Sequence, residues 1–258
     1  MVLVGSMICL DCLLILFTFL PFRVLFILKK FLLMAFARCR GLDPLHRLNH
    51  RDMCDLFRAV IILVCFLVLN HINLSLAYHY IRGQSVLKLY VLFNMLQMCD
   101  RLLCSFGEDI LDALFGSSME SLLPNIFHLL MSTLYICLHS AVLFAEVITL
   151  NVCINSNNQS LFVLLISNNF VELKASVFKK FKPADLFQIS CTDVVERFQL
   201  ALFLMVIVMQ NISHIGLAYA MPWLWQAALI FVAVFGSECV IDWIKHGFIS
   251  KFNKYPLA

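Results

Sequence analysis

The chain has 258 residues, 62% hydrophobic and 14% charged, with a formal net charge of +3. Soluble domains run at about 45–50% apolar and about 25% charged residues, so a soluble globular domain, a disordered chain and a coiled coil are excluded as descriptions of the whole. The small positive charge gives no ground for nucleic-acid binding, and a mean hydropathy of +0.91 points to a polytopic helical membrane protein.

A helix needs about 20 mostly apolar residues to cross about 30 Å of hydrocarbon. Five stretches meet that length: 7–28, 59–80, 126–150, 198–217 and 223–243. Backbone groups in lipid must be satisfied within each segment, so the stretches are read as helices. The expected fold is all-α, about five transmembrane helices plus interfacial amphipathic helices, in a single membrane domain over 1–258.

In chain order, the first stretch holds Asp11 and Arg23 and is too long for a cleavable signal peptide. The loop after it carries seven basic residues, from Lys29 to Arg58. The second stretch contains Asn70, His71 and Asn73. Segment 85–114 follows, with Lys88, Asn94, Gln97 and Arg101 at roughly helical spacing and a broad apolar face that includes Leu87, Tyr90 and Phe93. It reads as an interfacial helix, either a partner-docking face or a packing element.

His139 and Glu146 lie in the third stretch. Segment 168–181 then sets Phe170 and Phe178 on an apolar stripe against Lys174, Lys179 and Lys180, which suits a helix resting on anionic headgroups. Pro183 is expected to end it, and Asp193 with Glu196 to form a capping box for the fourth stretch. Gln210 and Asn211 lie within that stretch. Glu238, Asp242 and His246 recur every four residues at the end of the fifth, with Lys245 beside them.

Loops rich in Lys and Arg stay cytoplasmic. Five crossings place fifteen basic residues on one side and three on the other, whereas a sixth crossing at 86–106 removes the bias. The expected topology therefore has a lumenal N-terminus and a cytosolic tail. Three glycosylation sequons, at Asn73, Asn158 and Asn211, then fall in spans or in the cytosol and are expected to be unused.

No phosphate-cradling glycine loop, GxSxG elbow or HExxH motif is present. Cys9 and Cys12 have CxxC spacing without a second ligand pair, so the eleven cysteines are read as small apolar fillers; no cofactor and no metal are expected. The Glu238, Asp242 and His246 stripe can relay protons or hold a metal, but charge pairing suffices to explain it. Asn70, His71, His139 and Gln210 have two readings. In a structural protein they are interhelical hydrogen-bonding groups; in a membrane transporter or channel they form a midplane polar cluster. No paired broken helices or inverted halves support transport, so the structural reading is preferred.

Several blocks taken together resemble the transmembrane anterior-posterior transformation protein family, also called the eukaryotic membrane protein family. They are LFTFLPFRVL (16–25), HYIRGQSVLKLYVLFNMLQMCDRLLCSFGEDILDAL (79–114), TLNVCINSNNQSLFVLLISNNFVELKASVFKKF (149–181), LFQISCTDVVERF (186–198) and SECVIDWIKHGFISKFN (237–253). The resemblance implies a multi-pass protein of the endoplasmic reticulum membrane without catalytic residues. It further implies links to protein-folding homeostasis, to cilium assembly and the ciliary base, and to skeletal development. The partners it implies are membrane lipids and a SUN-domain-type membrane glycoprotein. Family members carry a long polar N-terminal region and continue past the segment ending here, so the chain reads as a fragment or short form. The expected function is a non-enzymatic membrane scaffold or partner subunit.

Overall fold

The computed structural model describes residues 2–39, 49–116, 122–155, 173, 179–216 and 220–253. Every regular element among them is helical: α1 (Val2–Leu14), a π turn (Ile15–Phe19), α2 (Leu20–Cys39), α3 (His50–Asn70), α4 (Leu74–Arg82), α5 (Val86–Gly116), α6 (Leu122–Asn155), α7 (Pro183–Ile215) and α8 (Ala220–Phe252). The chain forms two compact units. One gathers Met1–Cys9, Tyr80–Leu92 and Val147–Ala258; the other gathers Leu10–His79 and Phe93–Glu146.

Three described helical stretches are long and apolar enough to cross a membrane: Leu3–Phe36, Asn125–Asn155 and Ala227–Phe252. The pair His50–Asn70 and Leu74–Arg82, bent by 60°, makes a fourth if it is one crossing. The expected stretch 198–217 lies on α7, and its last residue is outside the described ones. Segment 168–181 falls mostly outside them as well, so Phe170, Lys174 and Phe178 receive no structural account.

Local chemistry explains the breaks. Pro21 lacks an N–H, and its ring crowds the carbonyl four residues back. The helix meets it with a wider turn, in which the Leu20 N–H bonds to the Ile15 carbonyl. The 59–80 stretch is not one straight helix. α3 ends at Asn70, and Asn73 starts α4 by accepting from the Leu76 N–H through its side chain at 3.3 Å. α7 ends at Gly216, whose φ of 82° lies in the left-handed region that favours glycine.

The helix that Pro183 is expected to end lies mostly outside the described residues. Pro183 opens α7, where a missing N–H costs nothing. Asp185 accepts from the Lys182 N–H at 3.0 Å, so the capping function sits here and not at Asp193 and Glu196, which lie within the helix.

In the second unit, Ile61, Cys65 and Leu114 form a core with Phe57, Leu129, Ile136 and Cys137 packed against it. The Cys65 and Cys137 thiols lie 3.1 Å apart, filling that core as small apolar groups. α2 is tied to α3 by charge: Arg23 reaches Asp55 at 3.4 Å and Lys30 reaches Asp52 at 2.9 Å. The Lys30 hydrogen bond, helped by the Asn49 N–H, holds the Asp52 carboxyl below its usual range. In the first unit, Leu150, Leu204, Ile207 and Val234 form the core between α6, α7 and α8. Gly5 lets α1 approach α7 closely, since a Cβ there meets the Val194 side chain.

Candidate functional site

Polar side chains on these helices gather in three places. The first, in the first unit, is an amide ladder between α6 and α7. Asn151 Nδ2 donates to Gln210 Oε1 at 3.2 Å, while Asn151 Oδ1 accepts from Asn155 Nδ2 at 2.5 Å and from Asn211 Nδ2 at 3.1 Å. Asn155 Nδ2 also reaches Asn211 Oδ1 at 3.2 Å. Asn151 is 4% exposed, so each of its amide atoms needs the partner it has. Ladder positions on α6 and α7 each recur one helical turn or a single residue apart, which brings short polar side chains to one seam.

The second is an ionic cluster between α7 and α8, also in the first unit. Lys245 Nζ lies 2.8 Å from Asp193 Oδ1 and 3.1 Å from Asp242 Oδ1. His246 Nε2 lies 2.7 Å from Asp193 Oδ2, and Arg197 Nε lies 3.0 Å from Asp242 Oδ2. Asp193, Asp242 and Lys245 are each almost wholly buried. Arg197 Nε directs its hydrogen bond to the Asp193 carbonyl at 3.1 Å; its approach to Asp242 is therefore an ion pair by distance, without the alignment of a hydrogen bond. Burial alone pushes the Asp193 carboxyl up, but hydrogen bonds from His246 and Lys245 and the charge they bring outweigh it, and the group titrates below the usual carboxylate range.

The third place lies in the second unit, around His139. Its Nε2 is 2.7 Å from Asp100 Oδ1 and its Nδ1 is 3.1 Å from the Tyr135 hydroxyl. Tyr135 in turn donates to the Leu103 carbonyl at 2.8 Å. Gly107 makes room for that ring, because a Cβ at this position collides with the Tyr135 hydroxyl.

The expected site residues therefore separate. Gln210 belongs to the amide ladder, Asp242 to the ionic cluster and His139 to the α5–α6 contact, while Asn70 and His71 are exposed at the end of α3. Glu238 lies one turn before Asp242 on α8, half-buried. Asp242 lies against Arg197 of α7 and Lys245 of α8, and His246 against Asp193 of α7. Of the expected docking face, Leu87 is exposed, Tyr90 is half-buried and Phe93 is buried. Phe93 therefore serves packing; the uncovered apolar residues of α5 in the second unit are Met95, Met98, Leu102 and Phe106. Lys179 and Lys180 are exposed, and Asn253 ties this stretch to α8 by accepting from the Phe181 N–H at 3.1 Å.

Sequence reasoning missed Asp193 and Arg197 as ion-pair partners and Asp100 and Cys104 as neighbours of His139. Both are i, i+4 pairs, and that spacing was the available signal.

Comparison with known proteins agrees with the helical membrane architecture. The profile of the family described as "Eukaryotic membrane protein family" matches residues 48–258. The Dictyostelium discoideum protein named "Protein TAPT1 homolog" is 45% identical over 271 residues, covering 97% of this chain and 32% of its own length. The "Transmembrane anterior posterior transformation protein 1 homolog" of Xenopus laevis is 41% identical over 255 residues, covering 96% of this chain and 46% of its own. The protein of the same name from Homo sapiens is 40% identical, with 96% and 44% covered. The chain thus spans a third to somewhat under half the length of these curated relatives, and no solved structure matches it. This multi-pass helical chain belongs to the eukaryotic membrane protein family.

Proposed function

We propose that the chain is a non-catalytic scaffold of the endoplasmic reticulum membrane that holds partner membrane proteins. The observation that carries this reading is the use of its buried polar side chains. The amide ladder and the ionic cluster bond helix to helix, which is the work of interhelical glue. A substrate path, in contrast, needs polar groups presented to a bound or passing solute. Apolar burial between helices supplies little drive in lipid, so these polar ties are what a membrane bundle relies on to keep its helices in register.

The finer parts of the proposal rest on the family. They are placement in the endoplasmic reticulum with access to the ciliary base, a part in protein-folding homeostasis, cilium assembly and development, and a SUN-domain-type glycoprotein as partner. The printed names of the relatives refer to anterior-posterior transformation, which accords with a developmental role. Five crossings with a cytosolic tail belong to the same proposal.

The test uses the chain purified in mild detergent with its bound proteins, and the same preparation in liposomes. A defined membrane-protein partner should co-purify and be lost on joint Met98→Ala and Leu102→Ala substitution, with no solute flux above empty vesicles. Flux that falls on Gln210→Ala would overturn the reading in favour of transport.

A further inference from the structure

Three metal-ligating side chains converge in the second unit, of which the sequence reading singled out only His139. Asp100 and Cys104 stand one turn apart on α5 and so share a helix face; His139 reaches them from α6. Asp100 Oδ1 is 2.7 Å from His139 Nε2, and Cys104 Sγ is 4.0 Å from each. A tetrahedral zinc ion, with bonds of about 2.0 Å to oxygen and nitrogen and about 2.3 Å to sulfur, sets its ligand atoms about 3.3 to about 3.6 Å apart. Each edge of the observed triangle therefore needs to change by only about half an ångström, a shift within reach of side-chain rotation.

The histidine is already oriented for ligation. The Tyr135 hydroxyl donates to the Leu103 carbonyl, so its oxygen is left to accept from His139 Nδ1. A neutral ring that carries its proton on Nδ1 presents a bare lone pair at Nε2, the tautomer a metal requires, and a hydrogen bond to the other ring nitrogen is the usual support of a metal-bound histidine. That lone pair lies 2.7 Å from a carboxylate oxygen. Two acceptors at this distance repel unless a proton or a cation lies with them. Carboxylate, imidazole and thiol together suit zinc and its transition-metal neighbours, and not magnesium or calcium, which take oxygen alone. Cys104 is exposed, so the site opens to the molecular surface.

We propose that Asp100, Cys104 and His139 form a three-ligand site for a divalent transition metal of zinc-like chemistry. Its fourth position is left to water or an exchangeable ligand. Binding displaces the Cys104 thiol proton to solvent and leaves the thiolate on the metal. Tyr135 acts as a positioning residue, holding the imidazole by its far nitrogen.

The whole chain, purified in detergent and stripped with a chelator, is titrated with Co²⁺ alone. The expected result is one equivalent of bound cobalt, with a thiolate-to-cobalt charge-transfer band that Zn²⁺ abolishes. Cys104→Ser should remove that band, and Cys99→Ser should leave it intact. Tyr135→Phe, which removes no ligand, should weaken binding by about 10–100-fold. Absence of the band in the unaltered chain would overturn the proposal and leave Asp100 and His139 as an ion pair only. So would a band that persists in Cys104→Ser. Circular dichroism and gel filtration report whether each variant is folded, and absence of the band in the unaltered chain overturns the proposal whatever the variants do.

Discussion

The seat of the Tyr135 ring against α5 depends on one absent side chain. Gly107 sits in the middle of α5, where glycine weakens a helix by about 1 kcal/mol relative to alanine. The Tyr135 ring occupies the space a Cβ would take. Gly107→Ala should therefore lower stability by about 1–3 kcal/mol through overpacking, despite the better helix former, and show as a lower Tm in detergent. In a Tyr135→Ala background the same substitution should become neutral or stabilising, since only the helix-propensity gain is left. A loss of equal size in both backgrounds would mean that Gly107 matters for another reason. Here the sequence was partly legible. His139 stood out as a polar residue in an apolar stretch, but the reason for Gly107 lies on another helix and left no local trace.

At the scale of elements, the α7–α8 pair is held by charges that cannot all be removed one at a time. Breaking one partner of a buried pair costs about 3–5 kcal/mol because the other charge is stranded. Asp193 carries two such contacts, to Lys245 and His246. Its folded-state pKa is depressed, so its contribution is complete above the ordinary carboxylate range and is lost as pH falls through the folded value. Thermal unfolding followed from neutral pH down to about pH 2 should show stability dropping in the acid range. Asp193→Asn should start lower at neutral pH and fall less steeply. An identical slope in the variant would show that other groups dominate acid unfolding. The four-residue recurrence of Asp242 and His246 was readable in advance because it is local. Asp193 was assigned to a helix start because its partners lie more than fifty residues away, and spacing along one helix says nothing about the facing one. The break at 71–73 went unread for a different reason: hydropathy over a long window averages Asn70, His71 and Asn73 into their apolar neighbours, while the capping role of Asn73 belongs to a single residue.

At the scale of the whole molecule, the composition alone implied a helical membrane protein, and family membership agrees with it. Composition resolves crossings less well than class, since α5 runs 31 residues yet is not among the described stretches apolar enough to span. The five-crossing proposal makes a direct prediction. On a cysteine-depleted chain in sealed microsomes, single reporters at positions 118 and 176 should label from opposite sides of the membrane. Labelling from the same side would move segment 86–106 into the bilayer and abolish the charge asymmetry on which the topology rests.

The Asn253 contact has a mechanical consequence. α7 and α8 are joined at one end by the four residues from Gly216 to the start of α8, and at the other the Asn253 side chain grips the main chain at Lys179 and Phe181, just ahead of Pro183. The two helices thus form a hairpin fastened at both ends. Sliding one past the other by a turn would require the clasp to open and the ionic contacts between the two helices to shift with it. A displacement of the stretch before Pro183 would therefore be passed to the end of α8 through Asn253 as well as along α7.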